Sequence, residues 1–125
     1  MNDVQNDNLG IVKISDDVLI VCAIKATLKI KGVSGLSGGL TDNLSRNILG
    51  KEPLSKGIRI TRSDDGITFD IFLIVDYKVK IPQLAWDIQI SVKNEIEEIT
   101  DLKVQAVNIH IQGVKVPEED NKTDD

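Results

Sequence analysis

One cysteine, one histidine and four aromatic residues are all that 125 residues provide for the chemistries that lean on such side chains. Cys22 has no second cysteine, which excludes an internal disulfide and a multi-cysteine metal site and makes a reducing compartment the natural setting. His110 alone is too little for the usual zinc site, so no metal and no cofactor is expected. The few aromatics argue against a base-stacking platform for nucleic acid. The longest apolar run, Val18-Leu19-Ile20-Val21-Cys22-Ala23-Ile24, falls far short of the ~20 residues that a spanning helix needs. The opening Met1-Asn2-Asp3-Val4-Gln5 lacks the basic and then apolar start of a signal peptide. A cytoplasmic protein without direct membrane insertion is the expectation.

Charge narrows the choice further. The formal charge is −5, but the acidic excess sits at the two ends, and residues 9–116 carry only +1. Within that stretch residues 9–63 hold nine Lys and Arg against four acids, and residues 64–116 hold five against nine. Such a mild dipole is no basic patch, and nucleic acid is not an expected partner. Residues 1–8 and 117–125 are polar and lack apolar periodicity, so a disordered leader and a disordered acidic tail are expected around one domain at 9–116. That length suffices for a self-contained core.

Along the domain, a short strand is expected at 10–14, closed by Ser15-Asp16-Asp17, whose side chains suit a helix start. The next stretch reads two ways. Lys25, Thr27, Lys29 and Lys31 alternate with Ile24, Ala26, Leu28 and Ile30 as in a half-buried strand, whereas the caps and Gly32 argue a helix. Residues 32–39 form a glycine-rich linker, and Leu40, Leu44 and Ile48 mark one side of a short mobile helix at 41–49. Alternation at 57–62, turn residues Asp64-Asp65-Gly66 and alternation at 67–79 make a hairpin. Phe72 and Ile74 make the middle of its second strand apolar on both faces, as in a central strand. Pro82 opens a helix whose apolar stripe is Ile81, Leu84, Ala85, Ile88, Val92, Ile96 and Ile99. The last strand changes phase between Leu102-Val104-Ala106 and Val107-Ile109-Ile111, which a bulge near Ala106-Val107 reconciles.

Catalysis needs an activated nucleophile, or an acid and a base within reach of each other. Asn108, His110 and Gln112 share one parity of the last strand and form a polar stripe, for which a solvated strand face is the simpler account. The carboxylate pairs Asp16-Asp17, Asp64-Asp65 and Glu97-Glu98 are explained by a cap, a turn and an exposed helix face. No catalytic residue is expected. Gly35-Leu36-Ser37-Gly38 matches the G-x-x-G of an RNA-binding KH module, although Leu and Ser bring no basic group to a phosphate, and a hinge loop is the plainer reading. Trp86 and Ile90, four apart beside the main helical stripe, form either a partner surface or part of a wide core face.

Three blocks carry a resemblance. They are 32–58, from Gly32-Val33-Ser34-Gly35 to Leu54-Ser55-Lys56-Gly57; 75–85, with Val75-Asp76-Tyr77 and Ile81-Pro82-Gln83; and Val107-Asn108-Ile109-His110-Ile111-Gln112-Gly113-Val114. Over about 14–116 the chain resembles the alkaline shock (Gls-type) proteins, which serve the envelope stress response of Gram-positive bacteria. The resemblance implies a helix after the first strand, no catalytic residues, and a role in envelope homeostasis. It also implies protein partners: a membrane-anchoring protein that holds members at the inner face of the membrane, or an enzyme of fatty-acid synthesis. The Leu-Ser-Lys-Gly and Ile-Pro-Gln blocks lean toward the fatty-acid group, and self-association is a further expectation. The fold expected is α+β in two layers, a mixed sheet of about four strands carrying two longer helices and the short one. The function expected is non-catalytic binding or scaffolding, with a KH-like RNA binder as the alternative.

Overall fold

The computed structural model describes residues 4–6, 9–38 and 57–118. Two strands open the chain, β1 (Val4–Asn6) and β2 (Gly10–Val12), paired antiparallel as a small separate ribbon. Three residues of the expected leader thus form a strand. Helix α1 (Asp16–Leu28) follows, then β3 (Val33–Leu36), β4 (Ile58–Ser63), β5 (Gly66–Asp76), helix α2 (Ile81–Thr100) and β6 (Val104–Lys115). The expected short helix at 41–49 and residues 119–125 of the tail lie outside the described residues.

Strand β5 is the centre of the main sheet. Its first half pairs antiparallel with β4 across the two-residue Asp64-Asp65 turn, and its second half pairs antiparallel with β3 on the same side. Along its other side β6 runs parallel, from Ile67 opposite Val104 to Asp76 opposite Lys115. The sheet is therefore mixed, as expected. Both helices lie on one face, where Ile67, Phe69, Ile71, Leu73 and Val75 are all 0% exposed. Full burial of such side chains stabilises by about 1.5–3 kcal/mol each. The alternate residues Thr68, Asp70, Phe72 and Ile74 look out from the opposite face and are half-buried.

The ambiguity at 18–31 resolves as helix. Ser15 caps α1, its Oγ accepting from the Val18 N–H at 3.4 Å, and Asp16 and Asp17 sit in the first turn, where the helix dipole favours negative charge. Periodicity was uninformative because α1 is apolar nearly all round: Leu19, Ala23 and Ala26 are buried, yet Val18, Val21 and Leu28 are exposed. Arg62 on β4 binds Asp16 Oδ1 at 2.9 Å and the Ile14 carbonyl at 2.8 Å, tying the helix start to the sheet. Ser91 donates to the Ala26 carbonyl at 2.9 Å, joining the two helices.

Helix α2 buries Leu84, Ile88, Val92, Ile96 and Thr100, a row four residues apart. Ile81 and Ile99, counted in the stripe from sequence, are exposed at its two ends. The helix stops at Asp101 in the left-handed conformation (φ 61°), and the buried Thr100 hydroxyl bridges the Ile96 carbonyl and the Leu102 N–H. The last strand has two register shifts. One leaves Gln105 as the extra residue, next to the site that the phase change indicated, and the second leaves Gln112.

At the hairpin Gly66 has φ +131°, and a Cβ there would lie 2.8 Å from the Lys103 carbonyl oxygen, because β6 begins directly beside the turn. Gly66→Ala should therefore lower stability by about 1–3 kcal/mol, read as a fall in denaturation midpoint at unchanged m value. An unaltered midpoint would show that the turn relaxes freely.

Candidate functional site

Two features stand out around β6, the outer strand beside the longer helix. Gln89, Lys93 and Glu97 recur every four residues along the flank of α2 and reach over the free edge of β6. Glu97 Oε2 accepts from the Val104 N–H at 2.9 Å, Lys93 Nζ reaches Glu97 at 2.9 Å and the Val104 carbonyl at 3.4 Å, and Gln89 Nε2 donates to the Val107 carbonyl at 2.9 Å. These side chains supply partners that a neighbouring strand would otherwise provide. The bond from the Val104 N–H, then the Lys93 ammonium, hold the Glu97 carboxyl below the usual carboxylate range.

Below Gln89 the character of this flank changes. Trp86 is 59% exposed and Ile90 40%, and with Gln89, Lys93 and residues 104–107 they line an open groove of about 160 Å³. Of the two readings of this pair, the structure places both side chains on the surface. Truncating or charging them need not open the core.

The second feature lies on the sheet face away from the helices. Asp70 on β5 stands opposite Asn108, and Phe72 opposite His110. Asp70 Oδ1 accepts from Asn108 Nδ2 at 3.1 Å and lies 3.0 Å from His110 Nε2. The imidazole stacks on the Phe72 ring, centroids 4.3 Å apart and planes 11° from parallel, and the Arg59 guanidinium stands 5.3 Å from the same Phe72 centroid. The polar stripe is thus more than a solvated face: Asn108 and His110 are held by Asp70, while Gln112 falls at the second register shift and is exposed.

Asp70 orients His110 as a carboxylate orients a catalytic imidazole, but among the described residues no hydroxyl or thiol is bonded to the ring to serve as nucleophile. Nor, among those residues, are three His, Cys, Asp or Glu side chains gathered as a metal site. The Gly35-Leu36-Ser37-Gly38 motif requires correction. It is not a loop joining two helices: Gly35 and Leu36 belong to β3, opposite Ile74 and Leu73, and the Ser37 N–H donates to the Phe72 carbonyl at 2.8 Å. A backbone spent on sheet pairing is not available as a phosphate clamp, so the KH-like reading loses its loop. Sequence reasoning missed Asp70 and Phe72 as neighbours of His110 because the parallel register that aligns them has no local signal. The four-residue spacing of Gln89, Lys93 and Glu97 was visible but had no strand edge to serve.

A model of the alkaline shock protein family, described as of cell envelope-related function, matches residues 4–116. An uncharacterized Bacillus subtilis protein, YqhY, is 31% identical over 113 residues, which are 90% of this chain and 83% of that protein. Another from the same species, YloU, is 33% identical over 109 residues, 86% of this chain and 90% of its own length. A stress response regulator Gls24 homolog of Streptococcus pyogenes is 25% identical over 105 residues, 83% of this chain but 59% of that protein. Among solved structures, a MamM CTD chain aligns at a TM-score of 0.48 and 13% identity, covering 78% of this chain and 94% of its own, too slight a likeness to carry an argument. No described helix is long and apolar enough to cross a membrane.

The lowered Glu97 pKa fixes the sign of one pH effect. The folded carboxylate binds its proton more weakly than the unfolded one, so its contribution is present above the usual carboxylate range and is lost as pH falls through the folded value. In Glu97→Ala the Val104 N–H loses its acceptor, at a cost of about 1–2 kcal/mol at neutral pH. The variant's denaturation midpoint should also fall less steeply on acidification than the wild type's; parallel curves would remove Glu97 from the account. Separately, His110→Ala loses the ring stack and the bond to Asp70, so a loss of about 1 kcal/mol is expected in the same assay, against none if the ring were merely solvated.

Proposed function

This chain belongs to the alkaline shock protein family, and from that premise we propose that it is a non-catalytic binding protein of envelope homeostasis and stress response, working through a protein contact centred on Trp86 and Ile90. The observation that carries this reading is the exposure of a tryptophan and an isoleucine one helical turn apart, beside an open groove. Contact surfaces are enriched in such aromatic anchors, and a large exposed apolar pair without a structural role costs solubility. The flank above it, with Lys93 and Glu97 already paired to each other, forms a polar rim.

The family description supports the envelope as the setting, and the Gls24 relatives support a regulatory role under stress. A peripheral position at the inner face of the membrane, reached through an anchoring partner, fits a chain whose described helices do not span. Modulation of fatty-acid synthesis is the finer version of the same proposal, with an enzyme of that pathway as the partner.

The test is the double variant Trp86→Gln, Ile90→Lys. Because both side chains are exposed, its melting temperature should stay within a few degrees of wild type, as surface changes usually fall within about 0.5 kcal/mol. Recovery of the bound envelope protein from cells should fall at least about tenfold, the loss of one anchor. A folded double variant that retains every partner would overturn the reading.

A further inference from the structure

Strand β6 has one edge on β5, and its other edge pairs with no strand among the described residues and is protected for only half its length. On β5 the N–H and carbonyl of Phe72 serve β4 and β3, accepting from Ser37 and donating to Gly57, whereas the Ile67 and Tyr77 N–H groups reach Lys103 and Lys115 beside β6. The parallel register then turns the main-chain groups of Val107, Ile109 and Ile111 away from β5. Two further observations agree independently: the Val104 N–H and the Val107 carbonyl are the groups met by Glu97 and Gln89. The protecting row ends at Gln89. Beyond it, Ile109 and Ile111 present their N–H and carbonyl groups to no partner among the described residues, and both side chains are only part-buried.

Natural edge strands are usually guarded by charge, above all lysine. From Val104 to Val114 β6 has no Lys, Arg, Asp, Glu or Pro. We infer that this edge pairs with the same edge of a second copy, antiparallel about a two-fold axis at His110. Turned about that point the strand matches itself: Ile109 meets Ile111, Asn108 meets Gln112, and Lys115 meets Gln105 instead of another lysine. The outward groups of Ile109 and Ile111 exchange both hydrogen bonds with their counterparts, making one continuous sheet across the pair. Helix α2 lies on β6, so the exposed Trp86 side of each helix is carried toward the axis. The inference goes beyond the reading of Trp86 and Ile90 as a contact surface, and stands on the edge of β6 alone.

Proline distinguishes the edge from the fold. The Ile109 N–H points outward, so Ile109→Pro removes a donor from the copy-to-copy pairing without touching the β5–β6 ladder. The full chain should sediment at twice its monomer mass, and Ile109→Pro should associate at least about tenfold more weakly, since two equivalent main-chain bonds are lost. In case Ile109→Pro fails to fold, His110→Cys in a Cys22→Ser background supplies a second reading. A non-hydrogen-bonded antiparallel pair sets its Cα atoms about 4.5 Å apart, within disulfide range, so this variant should cross-link to a dimer on mild oxidation. Gln105→Cys in the same background should not, because its counterpart is Lys115. A monomeric wild type, or a dimer that cross-links equally through position 105, overturns the inference. If the wild type is monomeric while Trp86→Gln, Ile90→Lys still loses its envelope partner, the self-pairing fails and the contact surface stands. If His110→Cys cross-links while the Trp86 variant keeps every partner, the reverse holds.

Discussion

Five alternate side chains of β5, from Ile67 to Val75, have no exposed surface, and both edges of that strand are hydrogen-bonded. Everything else is arranged around this requirement. Burying one face takes two helices side by side, because the sheet is three strands across: α1 packs over β3 and β4, and α2 over β6. Pairing one edge takes two short strands end to end, β4 and β3, since neither spans the whole of β5. The other edge takes a parallel strand, which only a crossover can deliver, and α2 is that crossover. The site features follow. The flank of α2 meets β6 because the crossover lays the helix beside the strand it precedes, and His110 meets Asp70 because the parallel register sets them on one face.

What could be read in the sequence was what depends on local period. The hairpin, the long helix and the phase change in the last strand are all patterns of neighbours, and they appear close to where the pattern puts them. Helix α1 was not legible by period because Val18, Val21 and Leu28 stay exposed, so apolar residues surround it instead of marking one side; its cap and the family resemblance supported the helix. Glycine misled at Gly35, where composition suggests a hinge and β5 imposes a strand. Trp86 and Ile90 were found as a pair, but whether they faced the core or the solvent depended on the path of β6. The partners of His110 depended on a pairing between strands separated by a whole helix.

The two features around β6 sit on opposite sides of the sheet, one on the helical side at Trp86 and one on the bare side at His110. They share the strand, and neither is built by it alone. Glu97, Lys93 and Gln89 lend polar groups from α2, while Asp70 lends a carboxylate and Phe72 an aromatic ring from β5.

The parallel pairing of β5 with β6 has a bearing on how the chain comes to be folded. The β4–β5 hairpin closes over two residues and can form as soon as it is made, whereas β6 must wait for the twenty residues of α2 to be completed first. Contacts of that sequence separation are slow, since chain entropy is lost before the pairing compensates. During synthesis on the ribosome there is therefore an interval in which β5 is exposed along one whole side, with Phe69, Ile71 and Leu73 bare to any other nascent strand. Until β6 docks, that side of β5 is where the nascent chain is open to off-pathway pairing.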